Sequence, residues 1–250
     1  MGRVVAALAG SPGLLVRWVL DPVLAAVFPG WCPACGEPVD RPTRGPLCEA
    51  CWSGFPRLPG VPCRCGFPLP EGLELCGRCR RGQGVLDRGA CLGPYEGPLR
   101  VAVHELKYRG RRRVARRLGE LLLESPRVRE TLEGAVVVEV PLHPSRLRSR
   151  GFNQAGLLAD SLADGAGLRR PGGVLVRRRE TPPQTGLSAA SRRRNVDGAF
   201  AVRRRASVVG RAVVLVDDVM TTGATLRACA RALRRAGARE VRAVTAARVF

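Results

Sequence analysis

Two acids followed by a threonine-rich turn are the most chemically pointed feature of this chain. The string is Val213-Val214-Leu215-Val216-Asp217-Asp218-Val219-Met220-Thr221-Thr222-Gly223-Ala224-Thr225-Leu226. Adjacent carboxylates can accept hydrogen bonds from vicinal sugar hydroxyls. Free N–H groups at a helix start, with Thr hydroxyls beside them, cradle a phosphate, and Gly223 lets the backbone come close. A ribose 5-phosphate satisfies both halves. No Gly-Lys-Ser/Thr follows the strand, which argues against a nucleotide-binding P-loop. A second cluster leaves another apolar run: Leu142 and His143, then Arg146, Arg148 and Arg150. A guanidinium fork takes two oxygens of a diphosphate together. His143 either orients a phosphate or caps its loop. Lys107 is the one lysine among 42 basic residues, retained either because Arg would not serve there or by chance.

The cysteines carry a different chemistry. Cys32-x2-Cys35, twelve residues and Cys48-x2-Cys51 offer four thiolates on two knuckles, the tetrahedral sulfur cage that zinc prefers. Cys63-x-Cys65, ten residues and Cys76-x2-Cys79 repeat the arrangement with a first knuckle one residue shorter. The shorter turn is expected to tighten and distort the second cage. Iron–sulfur ligation is the alternative, but successive ribbon-like pairs favour zinc. Sulfur fills all four positions, so each Zn2+ is structural. Cys91 and Cys229 stand apart and read as small core residues.

These groups need elements to position them. Residues 13–28 read as a short amphipathic helix interrupted at Pro22. Residues 30–84 are rich in Gly, Pro and Cys, and cannot build a core by burial alone. From Leu86 on, apolar runs alternate with helical patterns: strands at 135–140, 174–176, 212–216 and 241–249, and helices at 152–162 and 223–235. A further helix carries Val114, Leu118, Leu121 and Leu122 on one face, with Arg112, Arg113, Arg116 and Arg117 mostly off it, on a face that is solvated or touches nucleic acid. The alternation predicts an α/β fold, a mostly parallel sheet flanked by helices. Residues 177–200, polar and Arg-rich, read as a lid over a charged ligand or an ordinary surface loop. Three divisions follow: 1–29 helical, 30–84 metal-stapled, 85–250 α/β.

Across 250 residues the formal charge is +21, and 45% of residues are hydrophobic, which excludes a wholly disordered polar chain. The charge fits an Arg-rich solvated surface or a polyanion partner. Arg17, Asp21 and Pro22 break the one candidate membrane run, so no stable membrane insertion is expected. The N-terminus lacks a convincing secretory signal, and paired cysteines suit a reducing cytoplasm.

The cysteine pairs, then HELKYRGRR, PLHPSRLRSRGFNQA, TPPQTGLSAASRRRNVDGAF and VVLVDDVMTTGATL resemble the ComF family in content and order, from about Pro29 to Phe250. That resemblance implies a double zinc ribbon joined to a type I phosphoribosyltransferase fold. It implies a link to natural competence, with single-stranded DNA and the DNA-uptake helicase machinery as partners. It further implies that Asp217 and Asp218 hold the ribose hydroxyls of phosphoribosyl pyrophosphate. Thr221, Thr222, Gly223, Ala224 and Thr225 would hold its 5-phosphate. Leu142, His143, Arg146 or Arg150 would meet the pyrophosphate, with Lys107 in the same site. Mg2+ would bridge ligand oxygens. The shortened Cys63/Cys65 knuckle departs from the family pattern. The acceptor is not legible, and a silent ligand sensor that binds single-stranded DNA is the alternative to an enzyme.

Overall fold

A computed structural model describes residues 20–58, 61–82, 84–179 and 198–250. Four parallel strands form its main sheet: β1 (Arg88–Pro94), β2 (Val136–Glu139), β5 (Ala212–Met220) and β6 (Glu240–Arg248), in the order β1-β6-β5-β2. Two shorter strands, β3 (Leu175–Arg177) and β4 (Phe200–Val202), pair antiparallel beside it.

Alternation along each strand sends side chains to two separate cores. On one face Val137, Val214, Val216 and Val244 pack under four helices: α4 (Gly97–Tyr108), α5 (Arg113–Glu124), α6 (Pro126–Leu132) and α8 (Gln154–Ala166). On the other, Val138, Val213, Leu215 and Ala243 meet α9 (Ala224–Arg235) and the β3–β4 ribbon. The apolar face of α5 behaves as its spacing predicts: Val114, Leu118 and Leu122 are fully buried, each worth about 1.5–3 kcal/mol. The solvated-arginine expectation needs one correction. Arg117 is only 12% exposed, bonded to Glu120 and facing Glu49 of the cysteine-rich segment.

Four shorter helices complete the described residues: α1 (Asp21–Val27), α2 (Glu49–Ser53), α3 (Gly77–Arg80) and α7 (Pro144–Arg150). Pro22 does not interrupt α1. It sits in the first turn, where its missing N–H has no partner to lose. Buried Asp21 accepts bonds from Thr43 N and Oγ1 and so ties α1 to the first knuckles. Residues 13–19 and the central part of the expected lid, 180–197, lie outside the described residues. The ends of that segment are fixed together by Arg178 N donating to the Ala199 carbonyl.

The cysteine-rich segment rests directly on the sheet. Glycines at 89 and 93 share one face of β1, and added Cβ atoms there would lie 2.5 Å from the Cys65 carbonyl oxygen and 2.0 Å from that of Pro56. Gly89 N donates to the Arg64 carbonyl at 2.7 Å, and Arg127 of α6 donates to the carbonyls of Cys63 and Gly89. Main chain therefore packs on main chain along this edge.

Candidate sugar-phosphate site and metal centres

Strand β5 runs further than its apolar residues predict, through both acids to Met220, because Asp217 and Val219 still register against Thr245 and Ala247 of β6. Strand alternation then turns the two carboxylates to opposite faces. Asp218 is 4% exposed and points into the face carrying α4, where its Oδ2 lies 3.0 Å from Lys107 Nζ. Burial pulls the Lys107 ammonium down, but the Asp218 charge and hydrogen bond, with the Asp217 charge behind them, together outweigh it, and its pKa stands above the ordinary lysine value. Asp217 is half-buried beside α9. Burial, and then the Asp218 charge, push its carboxyl well above the usual carboxylate range. Each acid also accepts a bond from the next amide, Asp218 N to Asp217 Oδ1 at 2.9 Å and Val219 N to Asp218 Oδ1 at 2.8 Å.

The turn after β5 has the shape its residues require. Gly223 adopts φ +70 at the N-cap of the twelve-residue α9, and a Cβ there would fall 2.9 Å from Arg227 Nη1. Ala224 N reaches Thr222 Oγ1 at 3.4 Å, and Arg227 Nη1 donates to the Thr222 carbonyl at 2.8 Å. Thr221 is exposed, while Thr222 and Thr225 are half-buried. The strand, both acids, the turn and a helix start thus sit at one carboxyl edge of the sheet, where open α/β sheets bind ligands.

The second cluster is arranged around a helix that the Pro-Ser-Arg-rich stretch did not reveal. His143 is the N-cap of α7: its ring Nδ1 accepts from Ser145 N at 3.3 Å and lies 2.8 Å from Ser145 Oγ. Of its two readings, capping is the one this geometry displays. Leu142 and Arg146 are half-buried alongside. Arg150 donates to Gln154 Oε1 at 2.7 Å and lies over the Tyr108 ring, one residue beyond Lys107. Asn153, which sequence reasoning passed over, ties the cluster together. Its Nδ2 donates to the Val140 carbonyl at the end of the β2 run, and its Oδ1 caps α8. Asn before an apolar helical run is the signal that marks it.

Cys32, Cys35, Cys48 and Cys51 form one tetrad, and Cys63, Cys65, Cys76 and Cys79 a second, with the sulfurs of each all within 4.8 Å. Zinc–sulfur bonds of about 2.3 Å in a tetrahedron place sulfurs about 3.8 Å apart. Cys35 and Cys48 lie 3.6 Å apart, Cys65 and Cys76 3.7 Å. The expected distortion of the second cage is therefore corrected: the shorter knuckle closes as tightly as the first. Gly66 takes φ +78 after Cys65, and the bonds to β1 hold the turn. All ten cysteines are free thiols, so structural zinc fits both cages. Among the described residues no other group of three His, Cys, Asp or Glu is close enough to cage a metal.

Comparison with known proteins agrees with this division. A phosphoribosyl transferase domain matches residues 148–249, and a double zinc ribbon domain matches residues 23–80. A DNA utilization protein YhgH of Salmonella typhimurium is 35% identical over 217 residues, covering 85% of this chain and 94% of its own. The protein of that name in Escherichia coli K12 is 36% identical with the same coverage. Competence protein F of Haemophilus influenzae is 30% identical over 78% of this chain and 87% of its own. The chain belongs to the ComF family. In this ComF protein a type I phosphoribosyltransferase domain, its parallel sheet flanked by helices, follows an N-terminal double zinc ribbon. No helix among its described residues is long and apolar enough to cross a membrane.

Proposed function

We propose that the chain binds phosphoribosyl pyrophosphate with Mg2+ and transfers its phosphoribosyl group. The observation that carries this reading is the continuity of Asp217 and Asp218 with the Gly223-capped start of α9. Asp217 and Asp218 accept from the ribose hydroxyls, and the amides and hydroxyls of residues 221–225 hold the 5-phosphate. Residues 142–150 face the pyrophosphate, with Arg146 and Arg150 supplying positive charge. Mg2+ would be held by the ligand's oxygens rather than by the chain, in keeping with the lack of a caging set of carboxylates among the described residues. In the reaction an acceptor atom bonds to ribose C1 as the C1–oxygen bond breaks, and pyrophosphate leaves with the electron pair. The chain's part is positioning and electrostatic stabilisation of that leaving group.

Lys107 Nζ faces Asp218 Oδ2 at 3.0 Å, and a carboxylate is an acceptor only. Pyrophosphate release across a panel of acceptors tests turnover. Release abolished in the Asp217→Asn/Asp218→Asn double variant supports transfer, whereas tight binding without release leaves a sensor.

A second activity is supported by the relatives, whose names refer to DNA utilization and competence, and by the +21 charge. On this reading the chain also handles single-stranded DNA in the reducing cytoplasm, gripping phosphates rather than bases, since aromatics are only 4% of residues. Binding to an oligonucleotide that does not weaken as salt rises would remove it.

A further inference from the structure

Arg109, Gly110, Arg111 and Arg112 join α4 to α5, whose first residue is Arg113, and all five are exposed. Gly110 takes φ +65, which keeps the turn tight. Arg111 Nε faces the buried carboxylate of Glu105 at 2.9 Å. Among the described residues Arg109, Arg112 and Arg113 meet no carboxylate within salt-bridge distance. Their charge is open to an anion from outside the chain.

Tyr108 ends α4 just before this turn and is 64% exposed. The guanidinium of Arg150, at the end of α7, lies 5.4 Å from its ring centroid. The Arg112 guanidinium lies 5.2 Å from the ring centroid of Phe152. Two cation–ring contacts therefore hold the α4–α5 turn against the α7–α8 turn. His104, also exposed, meets the Tyr108 ring at 4.7 Å with the planes 44° apart, so it is not a parallel stack. Exposed rings are ordinary on a protein surface. This one is backed by a guanidinium and followed at once by arginines that lack a counter-charge.

That combination selects the partner. A stacking ring takes an unpaired base, and flanking arginines take the phosphates on either side of it. A duplex keeps its base faces closed and offers only its phosphates. We propose that the Tyr108–Arg113 turn is the face that grips single-stranded nucleic acid, with one base stacked on Tyr108 and the backbone phosphates on Arg109, Arg112 and Arg113. This placement rests on the single-stranded DNA reading above and not on the phosphoribosyl one. Lys107, one residue earlier, turns inward to Asp218, so the face borders the sugar-phosphate site but uses neither its acids nor its threonine turn. Arg150 is common to both, here as the support behind the ring.

Fluorescence anisotropy of a labelled oligothymidylate with the zinc-loaded full chain, read over a range of salt, tests it. Tyr108→Ala should weaken binding about tenfold or more and leave the salt dependence unchanged, since it removes a stack and no charge. Tyr108→Trp should bind at least as tightly as wild type, which separates a stacking role from damage to the fold. Arg109→Gln/Arg113→Gln should lower the slope of log K against log salt by about 1.4, the value for two lost single-strand phosphate contacts. A duplex of mixed sequence should bind Tyr108→Ala and wild type alike. Single-strand binding unchanged in Tyr108→Ala, an equal loss for the duplex, or an unaltered slope in the double variant would overturn the placement. So would vesicles of anionic phosphatidylglycerol that bind in a Tyr108-dependent way while the oligonucleotide does not. A wild-type chain that binds no single strand at low salt would refute the DNA reading itself, whereas wild-type binding indifferent to these residues would refute only its assignment to this face.

Discussion

Lys107 Nζ and Asp218 Oδ2 lie 3.0 Å apart across the interface between α4 and the carboxyl end of β5. The lysine side chain is 17% exposed and the aspartate 6%, so the pair is largely out of water. Removing one partner strands a buried charge. Lys107→Met is expected to destabilise the chain by about 3 kcal/mol, read from urea denaturation. Lys107→Arg should recover only part of this, since a broad guanidinium replaces a compact ammonium. Wild-type stability in Lys107→Met would show that the ion pair holds nothing. The Lys107 pKa is raised on folding, so its stabilisation is complete below the ordinary lysine value of 10.5 and fades as pH climbs through the higher folded value.

Asp217 shifts in the same direction, but there the fold disfavours the charged form. Its folded carboxyl titrates well above 3.8, so between those values the folded state holds the extra proton. Stability therefore falls as pH rises through that window, and at neutral pH the charge is a burden on the fold. Asp217→Asn is expected to raise stability at pH 7 by about 1 kcal/mol while weakening ribose binding. Affinity of the unaltered chain for phosphoribosyl pyrophosphate should increase with pH over the same window, because hydroxyl donors require the ionised form. Equal melting temperatures for Asp217→Asn and wild type at pH 7 would remove this account of the acid.

Gly223 is constrained twice, by φ +70 and by the Arg227 Nη1 atom 2.9 Å from any added Cβ. Gly223→Ala should cost about 1 kcal/mol and weaken 5-phosphate binding. Gly223→Asn, which tolerates this backbone conformation better, should lose less stability than Ala. Thermal melts with and without ribose 5-phosphate distinguish the two effects. A Gly223→Ala chain that responds to the ligand as wild type does would contradict the phosphate cradle.

The metal sites predict two zinc ions per chain by elemental analysis, and one in Cys76→Ser/Cys79→Ser. Gly89→Val should have a related effect without touching a ligand, because its side chain would drive into the Cys65 carbonyl. Loss of the second zinc in Gly89→Val ties that cage to β1. Full retention, with unchanged protection of the β1 amides from hydrogen exchange, would separate them.

Much of the site was legible because its residues are contiguous. Asp217 to Thr225 carry acids, turn and helix start in one string, and the cysteine spacing encodes both tetrads. What escaped the sequence reading depends on distant partners. Nothing near Lys107 in the chain names Asp218, 111 positions on. The extension of β5 through two acids follows from pairing with β6, which overrides the low strand preference of Asp. Helix α7 is short and Arg-rich, and its start depends on the His143 cap rather than on apolar spacing. The regular second cage was missed for the same reason: knuckle length was read alone, while its geometry is held by Gly89 and Arg127.

The central claim is that a phosphorylated pentose sits between the paired aspartates and the start of α9. Titration calorimetry of the zinc-loaded chain with phosphoribosyl pyrophosphate and Mg2+ tests it most directly. One saturable site per chain is predicted, weakened at least about a hundredfold in Asp217→Asn/Asp218→Asn, the loss of two charged hydrogen-bond acceptors. Equal binding by the double variant, or no binding to either chain at millimolar ligand, would contradict it.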